Sequence, residues 1–220
     1  LSTVGSFSNW RWILLIFRSR SVMNSKWILT FDKFMSEDEV KALRKTLEAA
    51  VIIAKSKAHQ GPVRDNCIIE LALGTGLRVS EIGQLKLEDI DLKRGGNSLI
   101  VRHGKGDKLR QVKFSSSLKS IIQEYLDYRD SNSPYLFPSV RQEFMTSTAI
   151  QKVFKKWAKR SGLPARYSVH SCRHRYACEL LRVSKNLRLV QQQLGHQNYQ
   201  TSTVYSFALS EEITEAVEKL

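Results

Sequence analysis

A glycine-flanked hairpin pattern constrains the fold of this 220-residue chain more than any other stretch. Residues 98–103 and 109–114 are two short β-like runs, and residues 104–107, Gly-Lys-Gly-Asp, separate them. This pattern predicts an antiparallel hairpin. Lys105 lies at its tip between two glycines, so its backbone can approach a ligand and its side chain is free to reach. Residues 85–92, just before the hairpin, alternate between apolar and polar side chains except at the adjacent pair Glu88-Asp89. Any fold must therefore include a small β element.

Apolar residues at helical spacing predict most of the remaining structure. The first helix begins at a capping box formed by Ser36 and Glu39. Gly61-Pro62 interrupts the pattern, and a second helix is predicted from about residue 65 to residue 73. The glycines at 74 and 76 end it, and another helix begins almost at once. Further helices are predicted over residues 115–126, 147–159, 171–182, 187–194 and 210–220.

The charge of the chain makes polyanions the first partner to consider. Lys and Arg total 35 against 21 acidic residues, which gives a net charge of +14. In the helix at 147–159, Ile150, Val153, Phe154 and Trp157 form a stripe that we interpret as core. The basic residues on the opposite face could track a DNA backbone, and we predict the following DNA-binding set: Lys152, Lys155, Lys156, Lys159 and Arg160, with Arg175 from the next helix.

Cysteine usage and hydropathy indicate the cellular location of the protein. The three cysteines are an odd number without CxxC spacing, which disfavours a disulfide framework or a zinc site and fits a reducing cytosol. No apolar run approaches the roughly 20 residues that span a bilayer. The apolar run at residues 12–17 is short and flanked by arginines. We therefore expect a cytoplasmic protein, associated with the nucleoid when bound to DNA, and no membrane contact.

The stretch from residue 169 to residue 177 contains a candidate site. His170 and Arg173 are three residues apart in a helical pattern, so they lie on one helix face. Arg173 can only donate hydrogen bonds, whereas His170 can donate, accept or shuttle a proton. Arg78 stands at a predicted helix start, where free N–H groups already favour an anion. Glu81, three residues later, could orient Arg78 or cap the turn.

Two further candidates follow near the end of the chain. His196 comes directly after Gly195, and Tyr205 is nine residues further on. Carboxylates that could hold magnesium are absent from these motifs, which argues against a two-metal nuclease. Protein cations must then stabilise charge on a phosphoryl group, and arginines can do so in a bidentate way. A tyrosine can attack phosphorus, and a lysine can protonate the leaving oxygen.

These motifs resemble those of the tyrosine recombinases, also called the phage integrase family. The resemblance rests on Thr-Gly-Leu-Arg-Val-Ser-Glu-Ile at 75–82, Gly-Lys-Gly at 104–106, His-Ser-Cys-Arg-His at 170–174, and Leu-Gly-His at 194–196 followed by Tyr205. Order and spacing agree over about residues 36–215. The resemblance implies a fold that is mainly α with a small antiparallel β-sheet (α+β). It also implies a site-specific DNA recombinase or integrase that forms a covalent 3′-phosphotyrosyl intermediate without metal, ATP or another cofactor.

The resemblance also implies a role for each site residue. Tyr205 would be the nucleophile, Arg78 and Arg173 would clamp the scissile phosphate, and His170 would assist proton transfer. Double-stranded DNA would be the partner, with self-association on DNA in a tetrameric synapse. Two further roles complete the set: Lys105 as the general acid, and His196 as a donor to the phosphate.

The chain departs from the family pattern in several places. Around the second arginine it has Cys172, Arg175 and Tyr176, none of them catalytic. Tyr199 is a rival nucleophile by proximity to His196, although its spacing does not match. At most 35 residues precede the catalytic pattern. We interpret residues 1–35 as an extension, a remnant or a linker, and residues 36–220 as the catalytic domain, without a complete core-binding domain.

That interpretation leaves two alternatives open. The chain could be a truncated DNA-binding or regulatory module without productive recombination, or it could relax DNA in the manner of type IB topoisomerases. Strand exchange between two sites, relaxation alone, and binding without a covalent adduct would separate the three functions.

Overall fold

The computed structural model describes residues 34–93, 95–102 and 109–195. The predictions for residues 1–33, Lys105, His196, Tyr199, Tyr205 and the helix at 210–220 lie outside these residues. The helices of the described part are α1 (Glu37–Ser56), α2 (Gln60–Thr75), α3 (Val79–Gly83), α4 (Ser116–Tyr128), α5 (Ser147–Arg160), α6 (Val169–Ser184) and α7 (Leu187–Leu194). The strands are β1 (Ile90–Asp91), β2 (Ser98–Val101) and β3 (Arg110–Lys113). The fold is therefore mainly α with one small sheet, as predicted.

The sheet is antiparallel with strand order β1-β2-β3. Ser98 pairs with Lys113 and Val101 with Arg110, so the predicted hairpin is confirmed, with strands of four residues each. The alternating residues 85–92 contribute only the two-residue β1, which follows a 3-10 turn at Leu87–Asp89. Lys113 N–H donates to Gln193 Oε1 at 3.2 Å, which joins the edge strand β3 to α7.

Helix α2 forms the centre of the core, packed against α1, α4 and α6. The prediction that it begins near residue 65 was wrong, because it begins at Gln60 and includes Gly61 and Pro62. First-turn N–H groups have no partner within the helix, so a proline there costs little. It ends at Thr75, two residues beyond the predicted end, because Gly74 lies within the helix and only Gly76 breaks it, as the C-cap with φ +62°.

Helices α1 and α5 confirm their predicted patterns. Ser36 and Glu39 form the capping box at the start of α1. In α5 the aromatic residues Phe154 and Trp157 are buried, as expected of core side chains. Trp157 Nε1 donates a 2.9 Å hydrogen bond to Asp65 Oδ2 on α2. A buried carboxylate therefore ties these two helices together.

Helices α6 and α7 build a second, smaller apolar cluster from Ala177, Leu181, Val190 and Leu194. Helix α6 is longer than the predicted 171–182, so His170 lies in its first turn. Helix α7 has the predicted bounds, and Gly195 caps it with φ +65°. None of the helices in the described ranges is long and apolar enough to cross a bilayer. The apolar cluster fixes α7 beside α6.

Candidate active site

Arg78 is held by Glu81 at the start of α3. It is the N-cap residue, with extended backbone, rather than a residue of the first turn. Its N–H donates to Glu81 Oε2 at 2.8 Å and its Nη1 donates to Glu81 Oε1 at 2.8 Å. The sequence left open whether Glu81 orients Arg78 or caps the turn, and in the structure it does both. The Arg78 side chain keeps 30% of its surface exposed, so its guanidinium can still meet a ligand.

Glu81 is also bound by Arg110, a residue that the sequence reasoning missed. Arg110 Nη1 and Nη2 donate to the two oxygens of Glu81 at 2.9 and 2.7 Å. Burial alone would raise the pKa of the Glu81 carboxyl, but the hydrogen bonds and charge of Arg110, with the hydrogen bonds from Arg78, lower it. Glu81 is therefore a buried anion between two guanidinium groups.

The strand pattern contained a signal for Arg110. Arg110 and Val112 are two residues apart on β3 and so face the same side of the sheet. Val112 is fully buried, which places the arginine on the buried face. A charge in that position requires an ionic or hydrogen-bonding partner.

Arg173 on α6 is 6% exposed and binds the ends of two other helices. Its Nη1 donates to the carbonyl of Gly76 at 2.6 Å and its Nη2 donates to the carbonyl of Leu194 at 2.8 Å. These carbonyls end α2 and α7, where the helix macrodipole favours a cation. Arg173 therefore joins three helices at one point.

His170 lies one turn before Arg173 and is exposed by surface area, although protein atoms crowd part of its ring. Partial desolvation lowers the pKa of His170, and the positive charges of Arg173 and Arg78 lower it further. Arg173 binds the carbonyl of Gly76, two residues before Arg78, and His170 lies one turn before Arg173 on the same helix, so the three side chains lie in one region. Their joint action as a catalytic site stays a prediction. A neutral imidazole beside two guanidinium groups can accept a proton and can bind an anion with them.

The remaining predicted catalytic residues, Lys105, His196 and Tyr205, lie outside the described residues. The segments leading to two of them are described. Strands β2 and β3 end on either side of the hairpin tip, and α7 ends at Gly195. A Cβ on Gly195 would lie 2.8 Å from Arg110 Cδ, so β3 and the end of α7 are in direct contact.

The predicted DNA-binding residues differ in their surroundings. Lys152, Lys155, Lys159 and Arg160 are exposed on α5. Of these, Lys155 donates to the carbonyl of Ala165, and Arg160 stacks 4.9 Å from the Trp157 ring centroid. Their contact with DNA stays a prediction.

Two members of that set already have acidic partners. The Lys156 ammonium forms an ion pair with the buried Asp65. Arg175, 18% exposed, lies 3.4 Å from Glu179. Both cations therefore already form ion pairs within the protein, and their contact with DNA also stays a prediction.

Within the described ranges no three His, Cys, Asp or Glu side chains come together as a metal site. The expectation of chemistry without a metal or a cofactor stays a prediction. The described site contains the guanidinium groups of Arg78 and Arg173 and the imidazole of His170. The buried carboxylate of Glu81 orients Arg78.

Known proteins resemble this chain in sequence and in fold. The sequence model described as "Phage integrase family" matches residues 33–212. The tyrosine recombinase XerA of Pyrococcus furiosus is 34% identical over 199 residues, which are 89% of this chain and 64% of that protein. The crystal structure of XerA recombinase superposes with a TM-score of 0.68 at 28% identity, covering 89% of this chain and 66% of that one.

A second solved structure is of a recombinase with a bound substrate. It is the XerH site-specific recombinase bound to its difH substrate in a pre-cleavage complex, with a TM-score of 0.67 at 25% identity. The match covers 83% of this chain and 52% of XerH. The chain thus spans slightly less than two-thirds of the XerA sequence and about half of XerH.

Proposed function

Because the chain belongs to the phage integrase family over residues 33–212, we propose that it cuts and rejoins double-stranded DNA at specific sites through a covalent 3′-phosphotyrosyl intermediate, without metal or ATP. The observation that carries the proposal is the proximity of Arg78, His170 and Arg173, since Arg173 binds the carbonyl of Gly76 just before Arg78 and His170 lies one turn earlier on the same helix. Such preorganised cations stabilise the charge that develops on a phosphoryl group.

The two arginines bind the non-bridging oxygens of the scissile phosphate. Arg78 is fixed by its hydrogen bonds to Glu81, so little rearrangement is needed when the phosphate arrives. Arg173 is fixed by the carbonyls of Gly76 and Leu194. His196 adds a further donor to the same phosphate.

Each strand cleavage requires two proton transfers, one from the attacking tyrosine and one to the leaving 5′-oxygen. The Tyr205 oxygen attacks phosphorus while His170, neutral because its pKa is lowered, assists removal of the phenolic proton. The bond from phosphorus to the 5′-oxygen breaks, and Lys105 supplies the proton that this oxygen needs. Rejoining reverses both transfers, with a 5′-hydroxyl attacking the phosphotyrosine.

The proposed partner is double-stranded DNA in the nucleoid, bound by copies of the chain that associate into a tetrameric synapse. The net charge of +14 supports a polyanionic partner. The exposed cations on α5 (Lys152, Lys155, Lys159 and Arg160) supply a surface that can follow a phosphate backbone.

A covalent-trapping experiment tests the function. The chain is incubated in excess EDTA with a library of nicked suicide duplexes with randomised arms, and adducts are resolved on a denaturing gel. We expect an adduct with the wild type and with Tyr199→Phe, and none with Tyr205→Phe, which should still bind DNA because it lacks only a hydroxyl. An adduct that depends on magnesium, or on Tyr199 rather than Tyr205, would contradict the mechanism.

The selected duplexes then separate recombination from the other functions. Paired sites on one plasmid report strand exchange, and a supercoiled plasmid with one site reports relaxation. We expect exchange between sites. Relaxation alone would indicate a topoisomerase-like function, and binding without an adduct would indicate a regulatory module.

A further inference from the structure

We propose that Arg110 is a positioning residue that prevents Glu81 from capturing the phosphate-binding guanidinium of Arg78. The inference rests on the proposed function, since it concerns how Arg78 is kept available for the scissile phosphate. It assigns a role to a residue outside the family-like motifs of the chain.

Hydrogen bonds from Arg78 and Arg110 use the full accepting capacity of the Glu81 carboxylate. Each carboxylate oxygen accepts two hydrogen bonds: Oε1 accepts from Arg78 Nη1 and Arg110 Nη1, and Oε2 accepts from Arg78 N and Arg110 Nη2. A carboxylate offers about four lone-pair sites, so this one is saturated. Only one of its four bonds comes from a nitrogen of the Arg78 guanidinium. Most of that group is left to face a ligand.

Burial makes this saturation necessary. The Glu81 side chain is 3% exposed, so a lost donor cannot be replaced by bulk water at little cost. Without Arg110, the guanidinium of Arg78, which already contacts Glu81, is the cation among the described residues that can take the vacated lone pairs. A bidentate pair between Arg78 and Glu81 would satisfy the carboxylate, but it would turn the donor groups of Arg78 away from the phosphate.

Charge leads to the same conclusion. Two guanidinium groups and one carboxylate sum to a local charge of +1, whereas Arg78 and Glu81 alone sum to zero. A neutral pair stabilises a phosphoryl dianion far less than a cationic cluster does.

Arg110 is itself held in place from a third element. Its Nε donates to the Gln193 carbonyl on α7 at 3.3 Å, and its side chain is 11% exposed. It packs against Gly195, where an added Cβ would meet Arg110 atoms at 2.8 to 3.0 Å. Arg110 is therefore fixed by α7 and cannot follow Glu81 if that side chain moves toward the phosphate.

The test compares cleavage of a normal scissile phosphate with cleavage of a methylphosphonate at the same position. The methylphosphonate is neutral, so it needs less cationic stabilisation. With Arg110→Gln we expect adduct formation to fall about tenfold or more on phosphate, short of the roughly 10²–10³ for loss of a direct transition-state donor. On methylphosphonate we expect a loss of less than about threefold, because Arg78 is then not required for charge stabilisation.

Second-site suppression makes the role of Glu81 explicit. If Glu81 captures Arg78 in the Arg110→Gln protein, adding Glu81→Gln removes the capturing charge and should restore most of the activity on phosphate. The matched control is Arg102→Gln, because Arg102 is an arginine directly after the end of β2 that pairs with Asp89 at 2.5 Å rather than with Glu81. It should leave the ratio of the two substrates unchanged. Urea unfolding of every variant establishes that the assays compare folded proteins.

The outcomes separate the two proposals. No adduct with the wild-type chain would refute the proposed function itself. A wild-type adduct, combined with an equal Arg110→Gln defect on both substrates or no suppression by Glu81→Gln, would overturn only the role of Arg110.

Discussion

Arg173 Nη1 donates a 2.6 Å hydrogen bond to the carbonyl oxygen of Gly76, the left-handed residue that ends α2. The same guanidinium binds the Leu194 carbonyl at the end of α7. The residue proposed to clamp the phosphate therefore also caps two helices. Substitutions of Arg173 should consequently reduce stability as well as activity, because its side chain joins helices in addition to its proposed contact with the phosphate.

Arg173→Lys tests this double role. A lysine has one nitrogen and cannot reach both carbonyls, so one buried acceptor loses its donor. We expect the free energy of unfolding in urea to fall by about 1.5–3 kcal/mol, the range for hydrogen bonds to charged groups. Arg182→Lys, on the exposed end of the same helix, should change it by about 0.5 kcal/mol or less. Equal stability of both variants would show that the two carbonyl contacts contribute nothing.

Gly76 should tolerate a side chain far less well than a glycine with a similar backbone. Its φ is +62°, and an added Cβ would lie 2.5 Å from Tyr176 Cδ1 and 2.8 Å from Leu194 Cδ2. Gly162 has φ +71° but no atom within 4 Å of such a Cβ. Gly162→Ala should cost only the backbone strain, about 1 kcal/mol, and Gly76→Ala at least twice that. Thermal unfolding of the two variants measures the difference, and equal losses would remove the packing argument.

The lowered pKa of His170 can be measured directly. Partial desolvation and the charges of Arg173 and Arg78 keep it below the ordinary value of about 6.5. Arg78→Gln removes one of these charges and should raise the pKa, followed by NMR of the imidazole protons. Arg182→Gln, at the far end of α6, should leave it unchanged. A wild-type pKa above the ordinary value would mean that His170 is not the neutral proton acceptor proposed.

Asp65 should make stability depend on pH in the acid range. Burial raises the pKa of its carboxyl, but hydrogen bonds from Lys156, Trp157 and Arg64 outweigh it and lower the pKa. A lowered folded-state pKa adds stability above the unfolded value of about 3.9, and this is lost as pH falls through the folded value. The difference in unfolding free energy between wild type and Asp65→Asn should therefore narrow below about pH 4. A constant difference would show that the ionised form is not favoured.

The basic side chains of α5 should differ in their effect on DNA affinity. Lys152→Gln and Lys159→Gln remove exposed cations, so each should lower the slope of log affinity against log salt by about 0.9 if it contacts a phosphate. Lys156→Gln should change the slope less and stability more, because that ammonium pairs with buried Asp65. Fluorescence anisotropy with a labelled duplex at several salt concentrations measures the slope. If all three variants keep the wild-type slope, this face is excluded from the DNA interface.

Local sequence spacing determined much of this protein. The capping box at Ser36, the left-handed glycines that end α2 and α7, and the hairpin between β2 and β3 all depend on residues close in the chain. The same holds for the i,i+3 relation of His170 and Arg173 on one helix face. The error at Gly61-Pro62 came from reading a proline as a break where it is tolerated in a first turn.

Only the tertiary structure decided what holds the site together. Arg110 meets Glu81 across 29 residues, and Arg173 meets Gly76 across 97. Such contacts follow from how α2, α6, α7 and β3 pack, and hydrophobic periodicity specifies which face of an element is buried without naming its neighbour. A buried charge such as Arg110 on β3 requires a partner. The identity of that partner depends on which helices pack against the strand.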